Sequence, residues 1–344
     1  MARSLRFRSW TTSLLILVAS VSLSACSAIA PAGPQGATQV TPGSRGFGFS
    51  TQTTSNTWTM GANAPVRQFT GAAASIGNDI YLVGGEDRRR AFDENAIYDT
   101  TTNTWTSGHR MPTARTALAA VGLNGIVYAI GGELFNGTVL TTVEAYDPIA
   151  NKWSTKAPLP VGVDSMMATV DNGLIYVVGG LKDSSGTPYN GVQTYDPGSD
   201  SWSSGAPLSI AKAFAFTGTV DGKIVAAAGY DGSGPTVNTE VYDPSTNAWT
   251  NVPDAKVARY GGCTGAIGDS LYVAAGLKFF PIRQAARELD AFDVLTNKWH
   301  RLLNIPRPMI GPASATVNGL LYCIGGSPFY GQAIFSNAVQ IYQP

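Results

Sequence analysis

The sequence is poor in charge, histidine and cysteine. Only 13% of its 344 residues are charged, and it contains two His and three Cys, whereas soluble domains average about a quarter charged residues. Lys plus Arg (23) equal Asp plus Glu (23), so no global charge favours a nucleic-acid partner. So few cysteines argue against a disulfide-built scaffold, and so few His and Cys leave little for a transition-metal site.

Long apolar runs are also scarce, and the one at the N-terminus has the layout of a secretory signal. Arg3, Arg6 and Arg8 precede an apolar stretch over residues 14–23, which is too short to span a membrane. Its end, Leu23-Ser24-Ala25-Cys26, resembles the lipobox of bacterial lipoproteins. That resemblance implies a signal peptide over residues 1–25 and lipidation of Cys26. The alternative is an ordinary cleavage site with an incidental cysteine.

The residues after Cys26 have the composition of a linker. Pro31, Pro34 and Pro42 lie among Gly and Ser with almost no apolar periodicity, which predicts a flexible tether over residues 26–50 and one domain over residues 51–344. We therefore expect an exported protein, lipid-anchored to the bacterial cell envelope, at the outer membrane where the organism has one.

The domain repeats with a period of about 50 residues, which is typical of propeller blades. The repeat is marked by six Trp, by a small residue followed by Gly, and by an aromatic residue followed by Asp. The Trp residues are Trp58, Trp105, Trp153, Trp202, Trp249 and Trp299. The marker glycines are Gly85, Gly132, Gly180, Gly229, Gly276 and Gly326. The aromatic markers are Tyr98, Tyr146, Tyr195, Tyr242 and Phe292.

The spacing of these markers separates strands from loops. The interval from each Trp to the next marker glycine is the same in every repeat, and so is the interval from each aromatic marker to the next Trp. Only the leg from glycine to aromatic varies, so we assign it to a surface loop. Four short strands with tight turns in each repeat predict an all-β fold of antiparallel propeller blades.

These markers resemble the kelch motif, as in Gly131-Gly132, Tyr146-Asp147 and Trp153. The resemblance covers residues 51–344 and implies a six-bladed kelch-type β-propeller with four antiparallel strands per blade. The sixth unit ends before its own Trp, whereas Trp58 precedes the first complete blade. We therefore expect the N-terminal strand with Trp58 to complete the C-terminal blade and close the ring.

Residues that recur in every blade are interpreted as structural, because a ligand site rarely needs six identical copies. Cys263 and Cys323 replace apolar residues of other blades, which favours buried packing, with a disulfide or reactive thiol as the alternatives. Nothing matches the copper-ligating His and Tyr set of galactose oxidase, a kelch enzyme. We expect no metal and no cofactor.

Antiparallel geometry places the variable loops and the starts of the innermost strands on one face, at the mouth of the central channel. The positions that begin those strands, at one fixed interval before the marker glycines, are Gln68, Arg115, Val163, Lys212, Arg259 and Met309. The positions directly after those glycines are Glu86, Glu133, Leu181, Tyr230, Leu277 and Ser327. The loops add several charged and aromatic residues, namely Asp87, Arg88, Arg89, Arg90, Lys182, Asp183, Asp231, Phe279, Phe280, Arg283, Phe329 and Tyr330.

Two interpretations of the basic residues at this mouth remain open. They could bind an anionic ligand, with Arg67, Arg115, Lys212, Arg259, Arg307 and Tyr230 as the candidates. Alternatively, a cation at this position belongs to the kelch pattern and bonds backbone carbonyls or carboxylates of the blades.

Two functions compete on this basis. The first is a membrane-tethered module that binds a glycan or protein partner, with an anionic sugar as one candidate. The second is a carbohydrate enzyme, since six-bladed exported kelch proteins include bacterial sialic-acid mutarotases. That resemblance implies a funnel carboxylate, for which Glu86 and Glu133 are the candidates, acting with an arginine, Arg115 or Arg259. We expect a monomer that binds no nucleic acid.

Overall fold

The computed structural model describes residues 56–279, 282–329 and 334–344. This part of the chain is all-β, and its main sheets are six four-stranded antiparallel sheets. No helix within it is long and apolar enough to cross a membrane. The predicted signal peptide, Cys26 and the whole predicted tether lie outside the described residues, as do Phe280 and Tyr330.

The first three blades follow one another along the chain, each with its four strands in sequence order. Blade 1 contains β2 (Ala72–Ile76), β3 (Asp79–Val83), β4 (Asn95–Asp99) and β5 (Thr104–Ser107). Blade 2 contains β6 (Ala119–Leu123), β7 (Ile126–Ile130), β8 (Val143–Asp147) and β9 (Lys152–Thr155). Blade 3 contains β10 (Met167–Asp171), β11 (Leu174–Val178), β12 (Val192–Asp196) and β13 (Ser201–Gly205).

The remaining blades include the ring seam. Blade 4 contains β14 (Phe216–Val220), β15 (Lys223–Tyr230), β16 (Pro235–Asp243) and β17 (Ala248–Val252). Blade 5 contains β18 (Cys263–Ile267), β19 (Ser270–Ala274), β22 (Leu289–Asp293) and β23 (Lys298–Arg301), and its loop holds the short hairpin β20 (Leu277–Lys278) and β21 (Gln284–Ala285). Blade 6 contains β24 (Ala313–Val317), β25 (Leu320–Ile324), β26 (Val339–Gln343) and β1 (Thr57–Gly61).

The six-bladed propeller architecture and its closure by the N-terminal strand are confirmed. Strand β1 pairs antiparallel with β26, and Trp58 lies opposite Tyr342. In the other blades a Trp likewise faces the aromatic marker, as Trp105 faces Tyr98. Because the fourth strand of blade 6 comes from the other end of the chain, the seam joins the two ends of the domain and removes the open sheet edge.

The repeated Trp residues connect neighbouring blades through hydrogen bonds as well as packing. Each indole Nε1 donates to a backbone carbonyl just beyond the outer strand of the preceding blade, at 2.7 to 2.9 Å. At the seam, Trp58 donates to the carbonyl of Leu303. Replacing any one of these Trp residues would therefore affect two blades.

An asparagine two residues before most of these Trp residues forms a second inter-blade link. At the seam, Oδ1 of Asn56 accepts hydrogen bonds from the Tyr342 hydroxyl at 2.7 Å and the Leu303 amide at 3.3 Å. Asn56 has a φ of 35°, a left-handed conformation that asparagine tolerates better than most residues. The conformation and the paired acceptor role explain why asparagine recurs at this position.

The aspartate after each aromatic marker holds the turn between the third and fourth strands. Oδ1 of Asp99 accepts hydrogen bonds from the amide and hydroxyl of Thr101 and from the amide of Thr102. These bonds, with that of the Thr101 hydroxyl the largest, lower the pKa of Asp99 to about 2. The Tyr-Asp marker thus combines a core aromatic with a turn-forming carboxylate.

The expectation that Cys263 and Cys323 are simply packed is wrong, because the two residues form a disulfide. Cys263 begins the innermost strand of blade 5 and Cys323 lies in the second strand of blade 6, with their Cα atoms 5.7 Å apart. The sequence did not indicate this pairing, because 60 residues separate the two cysteines and their strands are neighbours only in the closed ring. The bond links blade 5 to the blade that contains the seam.

Candidate functional site at the channel mouth

Backbone hydrogen bonds from the marker glycines build the mouth of the channel. Each marker glycine donates its N–H to the carbonyl of the residue that begins the next blade, at 2.9 to 3.0 Å. The acceptors include Arg115, Lys212 and Arg259, and the bond from Gly326 to Gln68 closes the series across the seam. These glycines have positive φ values, such as 93° for Gly85, a conformation that costs glycine little.

A second series of hydrogen bonds forms a closed ring nearer the channel axis. Each member donates its N–H to the carbonyl of the equivalent residue in the preceding blade, at 2.7 to 2.9 Å. All six have φ between 52° and 62°. The members are Thr70, Ala117, Ser165, Phe214, Gly261 and Gly311. Below this ring, mostly small side chains of the innermost strands line a channel of about 470 Å³.

Above that ring, each blade contributes a pair of residues joined by an antiparallel bridge. One member directly follows the marker glycine. Its partner lies one position after the residue whose carbonyl accepts a marker-glycine hydrogen bond, as in Glu86 with Phe69 and Glu133 with Thr116. The other pairs are Leu181 with Asp164, Tyr230 with Ala213, Leu277 with Tyr260 and Ser327 with Ile310. Side chains at these positions differ from blade to blade although the backbone is the same, so the mouth is chemically asymmetric.

One side of the mouth is aromatic. Tyr260 lies 5.6 Å from Phe214, 5.6 Å from Tyr230 and 6.1 Å from Phe279 between ring centroids. Phe69 joins the same cluster and stacks on Phe335 at 5.5 Å. Tyr230 and Phe279 are half-buried, so part of each ring is open to a ligand. This aromatic wall spans blades 4 to 6 and reaches blade 1.

Three carboxylates at the mouth come from blades 1 to 3, and Asp231 lies in the loop of blade 4. Glu86 and Glu133 are half-buried, and Asp164 is buried and accepts a hydrogen bond from the Ser165 hydroxyl at 2.8 Å. The hydroxyls of Thr70 and Thr116 bond to each other at 2.5 Å. In the described part of the chain, no group of three His, Cys, Asp or Glu could hold a metal ion. This polar side offers acid, base and hydrogen-bonding groups.

Three of the cationic candidates are buried instead of facing the mouth. Arg115 and Lys212 are 0% exposed and Arg259 is 1% exposed. The Arg115 guanidinium donates to Glu144 at 3.1 Å and to the carbonyls of Ala129 and Thr142. Its side chain extends into its own blade because those carbonyls and the carboxylate satisfy a charge that burial would otherwise make costly.

Lys212 and Arg259 repeat this arrangement in blades 4 and 5. Lys212 lies 3.3 Å from Glu240, and Arg259 lies 2.8 Å from Asp290. Burial lowers the pKa of Arg259 to about 10 and also lowers that of Lys212, while the paired carboxylates oppose the effect. The three cations therefore occupy positions that support the second interpretation of the sequence, a structural pattern.

Of the three blades without a cation at this position, blade 1 has Gln68 there, and the other two use a glutamine as the partner. Val163 and Met309 replace the cation in blades 3 and 6, and there Gln193 and Gln340 replace the carboxylate. The Gln193 amide bonds both the N–H and the carbonyl of Val161, and Gln340 does the same with Arg307. The two positions change together between blades, which sequence comparison of the blades could have found.

The other candidates lie at the surface. Arg67 and Arg307 are exposed, and Tyr230 belongs to the aromatic wall. Arg67 helps to line a cavity of about 580 Å³ between blades 6 and 1. This cavity is here called the seam cavity. Among the described residues it is lined by Val66, Arg67, Asp87, Arg88, Arg89, Arg90, Phe92, Ile334 and Phe335.

Comparisons with known proteins agree with this architecture. The family model described as the kelch motif matches residues 71–112, 114–160, 168–209 and 212–256. No curated protein matches the chain. Among solved structures, the structure of YjhT is similar with a TM-score of 0.72 and 18% identity, covering 80% of this chain and 95% of that chain. At that identity the likeness concerns the fold alone.

Proposed function

This chain belongs to the kelch-repeat family, and from its fold and mouth we propose that it is a binding module whose channel mouth holds a carbohydrate outside the cytoplasm. The observation that carries the proposal is the asymmetric mouth, with an aromatic wall on one side and carboxylates on the other. Aromatic rings pack against the apolar faces of sugar rings, and carboxylates accept hydrogen bonds from sugar hydroxyls.

The proposed location outside the cytoplasm has separate support. The N-terminal signal and Cys26 favour export and a lipid anchor to the cell envelope. The disulfide between Cys263 and Cys323 is of a kind that persists in oxidising compartments. Strand β1 runs toward the mouth, since it is antiparallel to β26, which leaves it. A tether that precedes Thr57 would therefore approach from the opposite face and leave the mouth accessible.

A second candidate function is sugar mutarotation, and the half-buried carboxylates Glu86 and Glu133 favour it. In that reaction a base takes the proton of the anomeric hydroxyl while an acid protonates the ring oxygen, so the ring opens, and the reverse steps close it on the other face. Arg115 and Arg259 are engaged in buried ion pairs, so the exposed Arg67 and Arg307 are the remaining arginine candidates to hold a substrate carboxylate.

Glycan-array binding and NMR measurement of anomer exchange together test both functions. We expect Tyr230→Ala to weaken glycan binding and Tyr230→Phe to retain it, because the ring is the contact and the hydroxyl bonds to the carbonyl of Gly232. The matched control is Ile149→Ala, since Ile149 is 99% exposed and lies away from the mouth. Binding that is unchanged in Tyr230→Ala would contradict the proposed site.

Anomer exchange separates the two functions. Acceleration by the unaltered protein that is lost in Glu133→Gln or Glu86→Gln, with binding retained, would establish the mutarotase. If exchange of sialic acid and of neutral sugars proceeds at the uncatalysed rate although glycans bind, the binding module stands and the enzyme is excluded.

A further inference from the structure

The seam cavity is a concentration of positive charge in a chain with few charges. Four guanidinium groups line it, from Arg67, Arg88, Arg89 and Arg90, and all four residues are exposed. Among the described residues of that lining, Asp87 is the one carboxylate. The same lining includes apolar residues, among them Val66, Ile334 and Phe335. A ligand that fits this lining has several negative charges and an apolar portion.

The loop of blade 1 is folded so that its arginines project from a tight turn. Oδ1 of Asp87 accepts the amides of Arg89 at 2.6 Å and Arg90 at 2.9 Å, and the Asp87 amide donates to the carbonyl of Arg90 at 3.1 Å. The Asp87 carboxylate thus stabilises the turn. Three consecutive side chains of one charge in so short a turn repel each other, which favours occupation by an anion.

The arginines differ in how far they are already paired. Arg90 forms an ion pair with Glu94 at 2.9 Å and lies over the Phe92 ring. In the described parts of the chain, neither Arg67 nor Arg89 has a carboxylate within ion-pair distance. These two come from different segments and face one cavity, so they are the pair best placed to hold one anionic group between them.

We propose that the seam cavity binds a phosphate ester, at a site beside the carbohydrate site, with which it shares Phe335. A phosphate monoester offers three oxygens and close to two negative charges, and guanidinium groups bind such oxygens in pairs. A single carboxylate would leave most of the charge in the cavity uncompensated. The alkyl or sugar portion of the ester then lies against the wall of Val66 and Phe335.

A ligand in this cavity would also fasten the ring seam. The segment after β1 is held to the loop of blade 6 by hydrogen bonds between Ala64 and Asn337 at 2.8 Å and between Gln68 and Ser336 at 3.2 Å. Arg67 lies within that segment, and Phe335 lies beside its partners. An anion bound between Arg67 and Arg89 joins the seam segment to blade 1, so binding should oppose release of β1.

Calorimetric titration and thermal unfolding of the whole mature protein test the proposal. The probes are inorganic phosphate, glucose 6-phosphate, glucose, acetate and vesicles containing phosphatidic acid, all at equal ionic strength because exposed charges are screened by salt. We expect phosphate and glucose 6-phosphate to bind and raise the Tm and acetate to have no such effect, and any effect of glucose to persist in Arg67→Ala/Arg89→Ala. Arg67→Ala/Arg89→Ala should weaken phosphate binding at least about tenfold, since charge-assisted hydrogen bonds are lost.

The control is Lys152→Ala/Lys298→Ala, which removes the same charge from exposed positions on outer strands β9 and β23 and should bind phosphate as the parent does. Hydrogen exchange of residues 57–61 should slow when phosphate is bound.

Asp87→Asn keeps an oxygen for the turn and removes the negative charge, so it should tighten binding. Vesicle binding lost in the arginine double variant would assign the ester to a lipid headgroup, and binding of glucose 6-phosphate without vesicles would assign it to a soluble phosphate.

The proposal is overturned if phosphate raises the Tm no more than acetate, or if the arginine double variant responds as the lysine double variant does. Its failure is distinguishable from failure of the carbohydrate site. Tyr230→Ala should retain phosphate binding, and Arg67→Ala/Arg89→Ala should retain the binding of neutral glycans.

Discussion

Nη2 of Arg115 lies 3.1 Å from Oε2 of Glu144, and both side chains are buried. The Arg115 carbonyl accepts the N–H of Gly85 from the preceding blade, whereas its guanidinium bonds within its own blade. One residue thus joins two blades through its backbone and links the second and third strands of one sheet through its side chain. The interaction is part of the frame of the mouth, on which the ligand-facing residues depend.

Removing one partner of this pair should be much more harmful than exchanging both. We expect Glu144→Ala to lower the free energy of unfolding by about 3–5 kcal/mol, because it leaves a buried charge uncompensated. The double variant Arg115→Val/Glu144→Gln, which copies Val163 and Gln193 of blade 3, should recover most of that loss. Denaturant unfolding of the three proteins measures this, and equal stability of Glu144→Ala and the parent would show that the pair contributes nothing.

Acid should destabilise the protein through the carboxylates that hold turns. Hydrogen bonds lower the pKa of Asp99 and Asp183 to about 2, and bonds from Lys223 and Ser245 do the same for Asp243. Because these folded-state pKa values lie below the unfolded value of about 3.9, the stabilisation is complete above pH 4 and is lost as pH falls through 2. Thermal unfolding between pH 5 and 2 should show this decline.

The matched variant is Asp99→Asn/Asp243→Asn, which keeps an oxygen acceptor in each turn but cannot titrate. It should have a shallower loss of Tm between pH 4 and 2 than the parent. An identical pH profile in both proteins would assign the acid sensitivity to other groups.

Reduction of the disulfide should loosen the side of the ring next to the seam. The bond closes a segment of 60 residues between Cys263 and Cys323, so its loss should lower the free energy of unfolding by about 4 kcal/mol in the chain-entropy description. Unfolding of Cys263→Ala/Cys323→Ala, compared with the parent with and without reductant, measures the effect. Reductant should leave the Tm of the double variant unchanged. A parent protein with the same Tm in the presence and absence of reductant under unfolding conditions would contradict the prediction.

The N-terminal strand should be required for cooperative folding. Deleting residues 51–60 removes the fourth strand of blade 6 and should abolish a cooperative unfolding transition, since the open edge of blade 6 and its apolar face become exposed. A truncated protein that melts as the parent does would contradict the closed ring.

Asn56→Ala tests the same seam with a single substitution that leaves strand β1 in place. The change removes the acceptor for the Tyr342 hydroxyl and the Leu303 amide. It should cost about 1 kcal/mol, the typical net contribution of one hydrogen bond, because Tyr342 is buried whereas Leu303 is exposed. The matched change Asn103→Ala in blade 1 removes the equivalent acceptor for Tyr98 and Ala62. Both should have similar costs, because the two sites share one geometry, and denaturant unfolding compares them.

The fold could be predicted from the sequence because its markers recur at fixed spacing. Trp58 was sufficient to predict ring closure, since it repeats the context of the other Trp residues without a blade of its own. The residues that face the mouth were harder to predict. The position that precedes each innermost strand lies at the mouth end of the blade, as expected, but its side chain extends into the blade and does not face the channel. Only the co-occurrence of Arg115 with Glu144, and of Val163 with Gln193, carries that information.

The other features that the sequence did not predict depend on contacts between segments that are distant along the chain. Cys263 and Cys323 meet because two strands of neighbouring blades converge near the axis, and neither local pattern nor periodicity records that distance. The seam cavity likewise joins Arg67, Arg89 and Phe335, which lie far apart in sequence. The run of arginines was visible in the sequence, but its position beside the apolar residues of blade 6 depends on the closed ring.

The hydrogen-bonded ring at the top of the channel is made of backbone atoms alone, and its members carry side chains as different as those of Ala117, Phe214 and Gly311. Its closure therefore constrains the backbone, which is left-handed at all six positions, more than the chemistry of the side chains. Substitutions that tolerate this conformation can change what the mouth contacts in one blade while the ring is kept. The hydrogen bonds that close the propeller are thus separate from the side chains that a ligand would meet.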